Sequence, residues 1–558
     1  MRFVPVMFLI LLIFTALVPV GAQSSDDADN SIRIAMPNPT YLDPVALSRF
    51  DVHGRDLVEN LFIGLTRLNA RTGQIEPALA ESWTVSADGL TWTFALRDDV
   101  QWVRSADGEA EAIRPVTAGD VVFAIQRACD PRLPSPVATN IYIIAGCRAF
   151  ADNNTLEQID PARTIAVRAV DDNTLEITLV FPAAYFLTMT SLPEFRPLPA
   201  DLMDQSLGQG WFSPANAITS GAWVIAEWTP GINMRLLRNP FWEGEFSGNL
   251  SEIDVRFDVP IDAIASQIAD GTVDAARLEP ITVDQVDPEL RRAAPGNTLI
   301  LLGFSFSNVN VEGVPVPSPL DSPEVRRALA LAIDREVLAQ AVFGSEAAGT
   351  DHFTPLSVIG APSSPGASFD PAAAQQTLAA AGYAGCAGLR DLSLAVSDNP
   401  QEIALAQNVI GQWVANLGCP VEAFPLVQAT RTQILDTAHN LVDVSQAARF
   451  PLWIITWTAD YPDAQGWVVD ALHCTFGYFR VGRTCDQVDI IMDQAGVSSD
   501  IRARFTAYNQ VETTLFGSQG TFPVLPLIMQ QQWWAQQSDL ENIASYGAFQ
   551  FDRWTVEN

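Results

Sequence analysis

Along residues 90–96 the apolar side chains Leu90, Trp92, Phe94 and Leu96 alternate with Thr91, Thr93 and Ala95. A period of two puts one side of the segment in a core and leaves the other half-exposed, which predicts a strand. Asp88-Gly89 supplies a reversal before it, because glycine accepts a positive φ at little cost. Pro77-Ala-Leu-Ala-Glu-Ser-Trp83 is then the other arm of a hairpin. Further on the period changes. Thr117 stands three residues before Asp120 in the manner of a capping box, and Val121, Val122 and Ile125 follow as the apolar face of a helix.

The same reading extends along the chain. Ile32-Arg-Ile-Ala35 is a short strand pattern, and Val58, Leu61, Phe62 and Leu65 mark an amphipathic stretch. A second hairpin runs from Ile165-Ala-Val167 through Asp171-Asp-Asn173 to Leu175, Ile177 and Leu179, and Pro193, Pro197 and Pro199 predict an extended crossing. Residues 218–242 read as strand, Pro230-Gly231 turn, strand and Asn-Pro stop. A βαβ-like unit follows: strand Ile253–Phe257, helix 261–269 closed by Gly271, and strand Val273–Ala275. The stretch 321–344 predicts one helix, with Ser322 as cap, Pro323 in the first turn and Gly344 at its end. Asp370-Pro371 to Gly382 repeats that punctuation, 401–417 predicts a helix ended by Gly418, and Trp453-Ile-Ile-Thr-Trp457 is a buried-strand candidate. Helices and strands in this mixture predict α/β lobes.

At 558 residues the chain exceeds a single core, so two or three domains are expected. Hydrophobic residues at 48% and charged residues at 17% describe a folded globular protein. The formal net charge is −33, from 65 acidic and 32 basic residues, and all of the basic ones are arginine. The missing lysine removes Schiff-base chemistry and a lysine general base. The acidity argues against nucleic acid or anionic membrane surfaces as partners. Residues 1–22 read as an export signal, with Arg2, the apolar run Val6–Val18 and the small-residue site Val20-Gly-Ala22; residues 23–30 read as a flexible acidic leader. An uncleaved anchor is the alternative, and no cysteine for lipid attachment follows the run.

An even number of cysteines behind an export signal points to disulfides. Pairing neighbours would join Cys129 to Cys147, Cys386 to Cys419 and Cys474 to Cys485, one of 15 arrangements open to six cysteines. No two cysteines have zinc-ligand spacing and the 4 histidines are scattered, so neither a metal nor another cofactor is expected. A Gly-x-Ser-x-Gly elbow, a His-Glu-x-x-His helix and a glycine-rich phosphate loop are all missing. Adjacent acids such as Asp98-Asp99 and Asp171-Asp172 point oppositely on a strand and cannot act as an acid/base couple. No enzyme is expected, with a secreted hydrolase as the rival of a different class.

Five segments resemble one family in order. They are the 77–123 region, Thr219-Ser-Gly-Ala-Trp-Val with Arg238-Asn-Pro-Phe-Trp, Ser322–Arg335, Asp370–Tyr383, and Trp457-Thr-Ala-Asp-Tyr-Pro-Asp463. The chain resembles the extracellular solute-binding proteins (family 5) that feed oligopeptide and dipeptide ABC importers. The resemblance implies an α/β, bilobal periplasmic-binding-protein-like fold (type II, the large peptide-binding class) with three domains and a hinge. Transferred boundaries are 31–66, 206–305 and 530–558 for domain I, 67–205 for domain II as its extension in the same lobe, and 306–529 for domain III, the other lobe. The implied protein is an exported monomer that captures peptides between its lobes, changes no covalent bond and delivers them to a membrane permease. Relatives of this architecture also take oligosaccharides, nickel chelates, haem or opines.

The resemblance also implies site residues. Asp460 occupies the position that receives a ligand's α-ammonium; otherwise it is a turn residue before Tyr461-Pro462. Trp457 lies where relatives place an aromatic ring beside the ligand, or else is a core residue at a strand end. Backbone groups of Thr456 and Thr458 would pair with the ligand as an added strand does, although relatives carry Gly or Cys there. Phe304 and Phe306 sit where the chain should enter domain III, beside the cleft or in the core. For a ligand carboxylate no arginine can be named: Arg449 and Arg480 only flank the region.

Overall fold

The computed structural model describes residues 30–48, 51–106, 109–152, 160–306, 317–439, 449–479, 481–543 and 547–557. The export segment 1–22, the leader apart from Asn30, and Arg480 lie outside the described residues.

A mixed sheet of eleven strands runs through the molecule. Its order is Trp223–Thr229, Asn233–Arg238, Glu252–Arg256, Ser31–Ala35, Ala275–Leu278, Val524–Gln536, Arg291–Phe304, Leu452–Trp457, Leu394–Val396 and Leu426–Gln428, with Ala347–Gly349 also on Val524–Gln536. Ser31–Ala35 lies parallel to both Glu252–Arg256 and Ala275–Leu278, as a βαβ unit requires. The second strand of that unit begins at Ala275, two residues after the expected Val273, where Asp274 turns its carboxylate to the backbone and side chain of Arg33.

Two large apolar cores flank this sheet, and a smaller third cluster gathers around Ile264, Ile268, Val283 and Val286. One gathers residues between Ile32 and Phe257 together with Leu540, Phe549, Phe551 and Trp554. The other gathers residues between Leu299 and Met529. The antiparallel strands Arg291–Phe304 and Val524–Gln536 join them. Ala294 and Trp534 pack in the first core, whereas Leu299–Leu302 and Val524–Met529 pack in the second. The packing therefore changes core near a register shift between Pro295 and Thr298.

The hairpin forms as expected from Ala80–Val85 and Thr91–Leu96, with Gly89 at φ +75° and Trp92, Phe94 and Leu96 buried. The backbone N–H of Thr117 donates to Asp120 at the start of helix Ala118–Ala128. The stretch 321–344, by contrast, is two helices, Pro323–Leu331 and Arg335–Phe343. Asp334 is the reason: its carboxylate accepts the N–H of Val337 and caps a new helix. Pro193–Phe195 makes a 3-10 turn rather than an extended crossing, and delivers Arg196 inward. Disulfides join Cys129 to Cys147, Cys386 to Cys419 and Cys474 to Cys485, the neighbour pairing.

Candidate functional site

Between the two cores lies a cavity of about 320 Å³. Helix Val52–Leu61 forms one wall. Asp51 caps it by accepting the N–H of Gly54 at 2.8 Å, and Leu57, Val58 and Leu61 bury its apolar stripe. Val52, Arg55, Asp56 and Glu59, at spacing i, i+3, i+4 and i+7, form its opposite face and line the cavity. Asn297, Thr298 and Gln532 line it from the two joining strands, and Thr458, Asp460 and Tyr461 from the segment that follows strand Leu452–Trp457.

The helical wall is held by ion pairs across long stretches of chain. Asp56, fully buried, accepts two bonds from Arg277 at 2.6 and 2.8 Å and the N–H of Phe549 at 2.7 Å. The Arg277 guanidinium also lies 3.9 Å from the Phe549 ring centre. Glu59 accepts from Arg67 at 2.7 Å, from Gln550 at 3.0 Å and from Arg196. Burial alone would push the Glu59 carboxyl up, but Arg196 and Arg67 outweigh it and hold it below its ordinary value. Arg67 reaches on to Asp552 with two bonds of 2.8 and 2.7 Å. Such a wall presents fixed charge without needing reorganisation when a solute arrives.

Asp460 and Thr458 both border this cavity, and the Thr458 hydroxyl lies 3.1 Å from that of Thr298. Thr456 and Trp457 are the last residues of the strand and line neither this cavity nor its neighbour. Thr456 accepts a bond from Arg431 at 3.0 Å, and the Trp457 ring packs on Tyr478 and Phe479. Phe304 and Phe306 sit in the second core, away from the cavity. Strand pairing with Leu452 fixes Phe304, and the Arg326 guanidinium covers Phe306 at 4.2 Å. Arg449 lines neither cavity.

Asp460 and Tyr461 also border a second cavity of about 410 Å³, whose lining includes Ile143, Phe181, Met189, Val469, Met492 and Val497. Tyr461 crosses from one half to the other. Its ring stacks on Tyr185, and its hydroxyl donates to Asp470 at 2.6 Å. Thr188 donates to the buried Asp463 at 3.3 Å, and Arg504 pairs with the same carboxylate. Burial raises Asp463 above its ordinary value despite Arg504. Desolvation pushes Asp470 up to about 6, against the Tyr461 bond and helped by the charge of Asp463.

His473, Cys474 and Asp489 bring possible metal-ligand atoms within 4.8 Å of one another. They do not suit an ion, since the Cys474 sulfur is bonded to Cys485 and Asp489 receives Arg483. Sequence reasoning missed Arg55, Asp56, Glu59, Arg196 and Arg277. The polar face of the first helix could have signalled Arg55, Asp56 and Glu59, whereas Arg196 and Arg277 reach it from distant segments and leave no local signal.

A model of the bacterial extracellular solute-binding proteins, family 5 (middle region), matches residues 74–479. The chain is 28% identical over 513 residues to the probable deoxycholate-binding periplasmic protein YgiS of Escherichia coli strain K12, covering 88% of this chain and 86% of that protein. It is 29% identical over 535 residues to the periplasmic murein peptide-binding protein MppA of the same organism, covering 92% and 90%. The unliganded open form of MppA superposes with a TM-score of 0.79 at 23% identity, over 95% of this chain and 97% of that one. That likeness gives the chain the α/β, bilobal fold of these binding proteins.

Proposed function

The chain belongs to the bacterial extracellular solute-binding proteins of family 5, and from that premise we propose that it captures short peptides between its lobes and hands them to the membrane permease of an ABC importer. The observation that carries this reading is that Asp460 borders the interlobe cavity opposite a wall of fixed charges. In this role Asp460 receives the α-ammonium, and a charge-assisted hydrogen bond there contributes about 1.5–3 kcal/mol. Micromolar binding amounts to about 8 kcal/mol, so the rest comes from backbone pairing near Thr458 and from burial. Trp457 and Thr456 shape the segment from behind rather than touching the ligand.

The reading includes three domains, 31–66 with 206–305 and 530–558, then 67–205, then 306–529, closing about the joining strands as a monomer. The protein is exported by residues 1–22 and binds without catalysis. In this reading the permease keeps the protein at the membrane; among the described residues no helix is long and apolar enough to cross one.

Native mass spectrometry of the protein as purified tests this reading, with co-purifying peptides as the expected result. Asp460→Asn should weaken binding of free-amino tripeptides about tenfold or more and leave N-acetylated ones unchanged. Equal loss for both, or none, removes Asp460 from the role.

A further inference from the structure

Three arginines line the interlobe cavity: Arg55, Arg196 and Arg277. Two of them are committed. Arg277 holds Asp56 with two bonds, and Arg196 holds Glu59 and the carbonyl of Phe62. Arg55 stands on the same helical face, half-buried, and its guanidinium makes no ion pair or side-chain hydrogen bond among the described residues. The acid one turn on, its natural partner on a helix, is Glu59, which already receives Arg67, Arg196 and Gln550. Its chain neighbour Asp56 is taken by Arg277 and the N–H of Phe549. Glu194 feels the charge of Arg55 at longer range, but it is fully buried outside the lining and accepts from Asn140 at 2.7 Å.

In a chain with 65 acids and 32 arginines, acids are in twofold excess. Arg55, which meets no acid among the described residues, therefore offers its guanidinium to an external anion. Its planar fork suits a carboxylate, which it can bind through two parallel bonds. Arg55 belongs to the helix packed in the first core, whereas Asp460 follows the strand of the second. A ligand with an ammonium at one end and a carboxylate at the other would link the two halves. We propose that Arg55 receives the carboxylate of the bound solute, which makes the preferred ligand a short dipolar peptide with both termini free. This rests on the peptide reading above. A cavity of about 320 Å³ is at the small end for ligand sites, which favours short peptides.

The test uses the full-length mature protein and two probes, a randomised tripeptide library with free carboxylates and the same library made as C-terminal amides. Capture is read by competition and mass spectrometry. The wild type should retain the free acids about 10- to 100-fold better. Arg55→Gln should erase that preference while leaving amide capture unchanged, and Arg55→Lys should keep part of it. Because the Arg55 side chain holds no partner among the described residues, unchanged melting is expected for both variants and is measured alongside. Equal capture of acids and amides by the wild type, or a preference that survives Arg55→Gln, overturns the role of Arg55 and leaves the peptide reading standing. No capture from either library overturns the peptide reading, and this one with it.

Discussion

The rings of Tyr185 and Tyr461 lie parallel, 5.5 Å between centroids and 6° between planes. Tyr461 directly follows Asp460, yet it packs in the core of the opposite half. The residue assigned to the ligand is thus chained to a contact between the halves, so occupancy of the cavity and seating of Tyr461 should be coupled. A double-mutant cycle with Tyr185→Ala and Tyr461→Ala should give an interaction energy of about 0.5–1.5 kcal/mol by denaturant unfolding. Additive losses would mean that the two rings are merely neighbours.

Asp470, held by Tyr461, should make stability depend on pH. Its carboxyl is raised from 3.8 to about 6, so the folded protein keeps a proton that the unfolded chain has released. The stability of the neutral form is complete below about pH 3.8 and is lost as pH rises through about 6. Asp470→Asn preserves an acceptor for Tyr461 and cannot ionise. The variant should match the wild type near pH 4 and exceed it by roughly 2 kcal/mol at pH 7–8, less than the full shift implies because Asp470 still borders the second cavity. Melting across pH 4–8 checks this, and a constant difference would contradict it.

What could be read from the sequence follows physical range. Caps and turns are settled within four residues, and Gly89, Ser322, Asp370 and Gly418 all act where local chemistry puts them. Asp334 also obeyed that chemistry, but the helix formers on either side concealed its cap. The cavity wall was hidden for a different reason. Glu59 meets Arg196 across 137 residues and Asp56 meets Arg277 across 221, and no local pattern reports such a meeting. Along the joining strand the packing changes core by Leu299. Sheet register decides that, and register is a tertiary property.

The three disulfides should differ in what they contribute. Their sequence separations are 18, 33 and 11 for Cys129–Cys147, Cys386–Cys419 and Cys474–Cys485. Loop-closure entropy grows with the logarithm of the loop. It gives about 3.2, 3.7 and 2.8 kcal/mol respectively. Paired Cys→Ala variants, compared by denaturant unfolding, should fall in that order, with the 386–419 pair costing most. A reversed order would show that native-state effects dominate over the unfolded chain.

Gly296 sits in the register shift where the two joining strands pass between cores. A Cβ there would lie 1.9 Å from the carbonyl oxygen of Gln530 and 2.9 Å from its carbon. Backbone cannot give way as a side-chain tip does, so Gly296→Ala must part the strands locally. Overpacking of this kind costs about 1–3 kcal/mol. The consequence should extend beyond stability, because Asn297 and Thr298 next to it line the cavity and the strands join the two cores. Gly296→Ala is expected to lower the melting temperature and to weaken peptide capture together. Gly271→Ala, at a turn with open space around it but φ at +73°, is the control: it should cost stability through backbone strain alone and leave capture intact. Equal effects of the two substitutions on capture would deny the crossing any special part in binding.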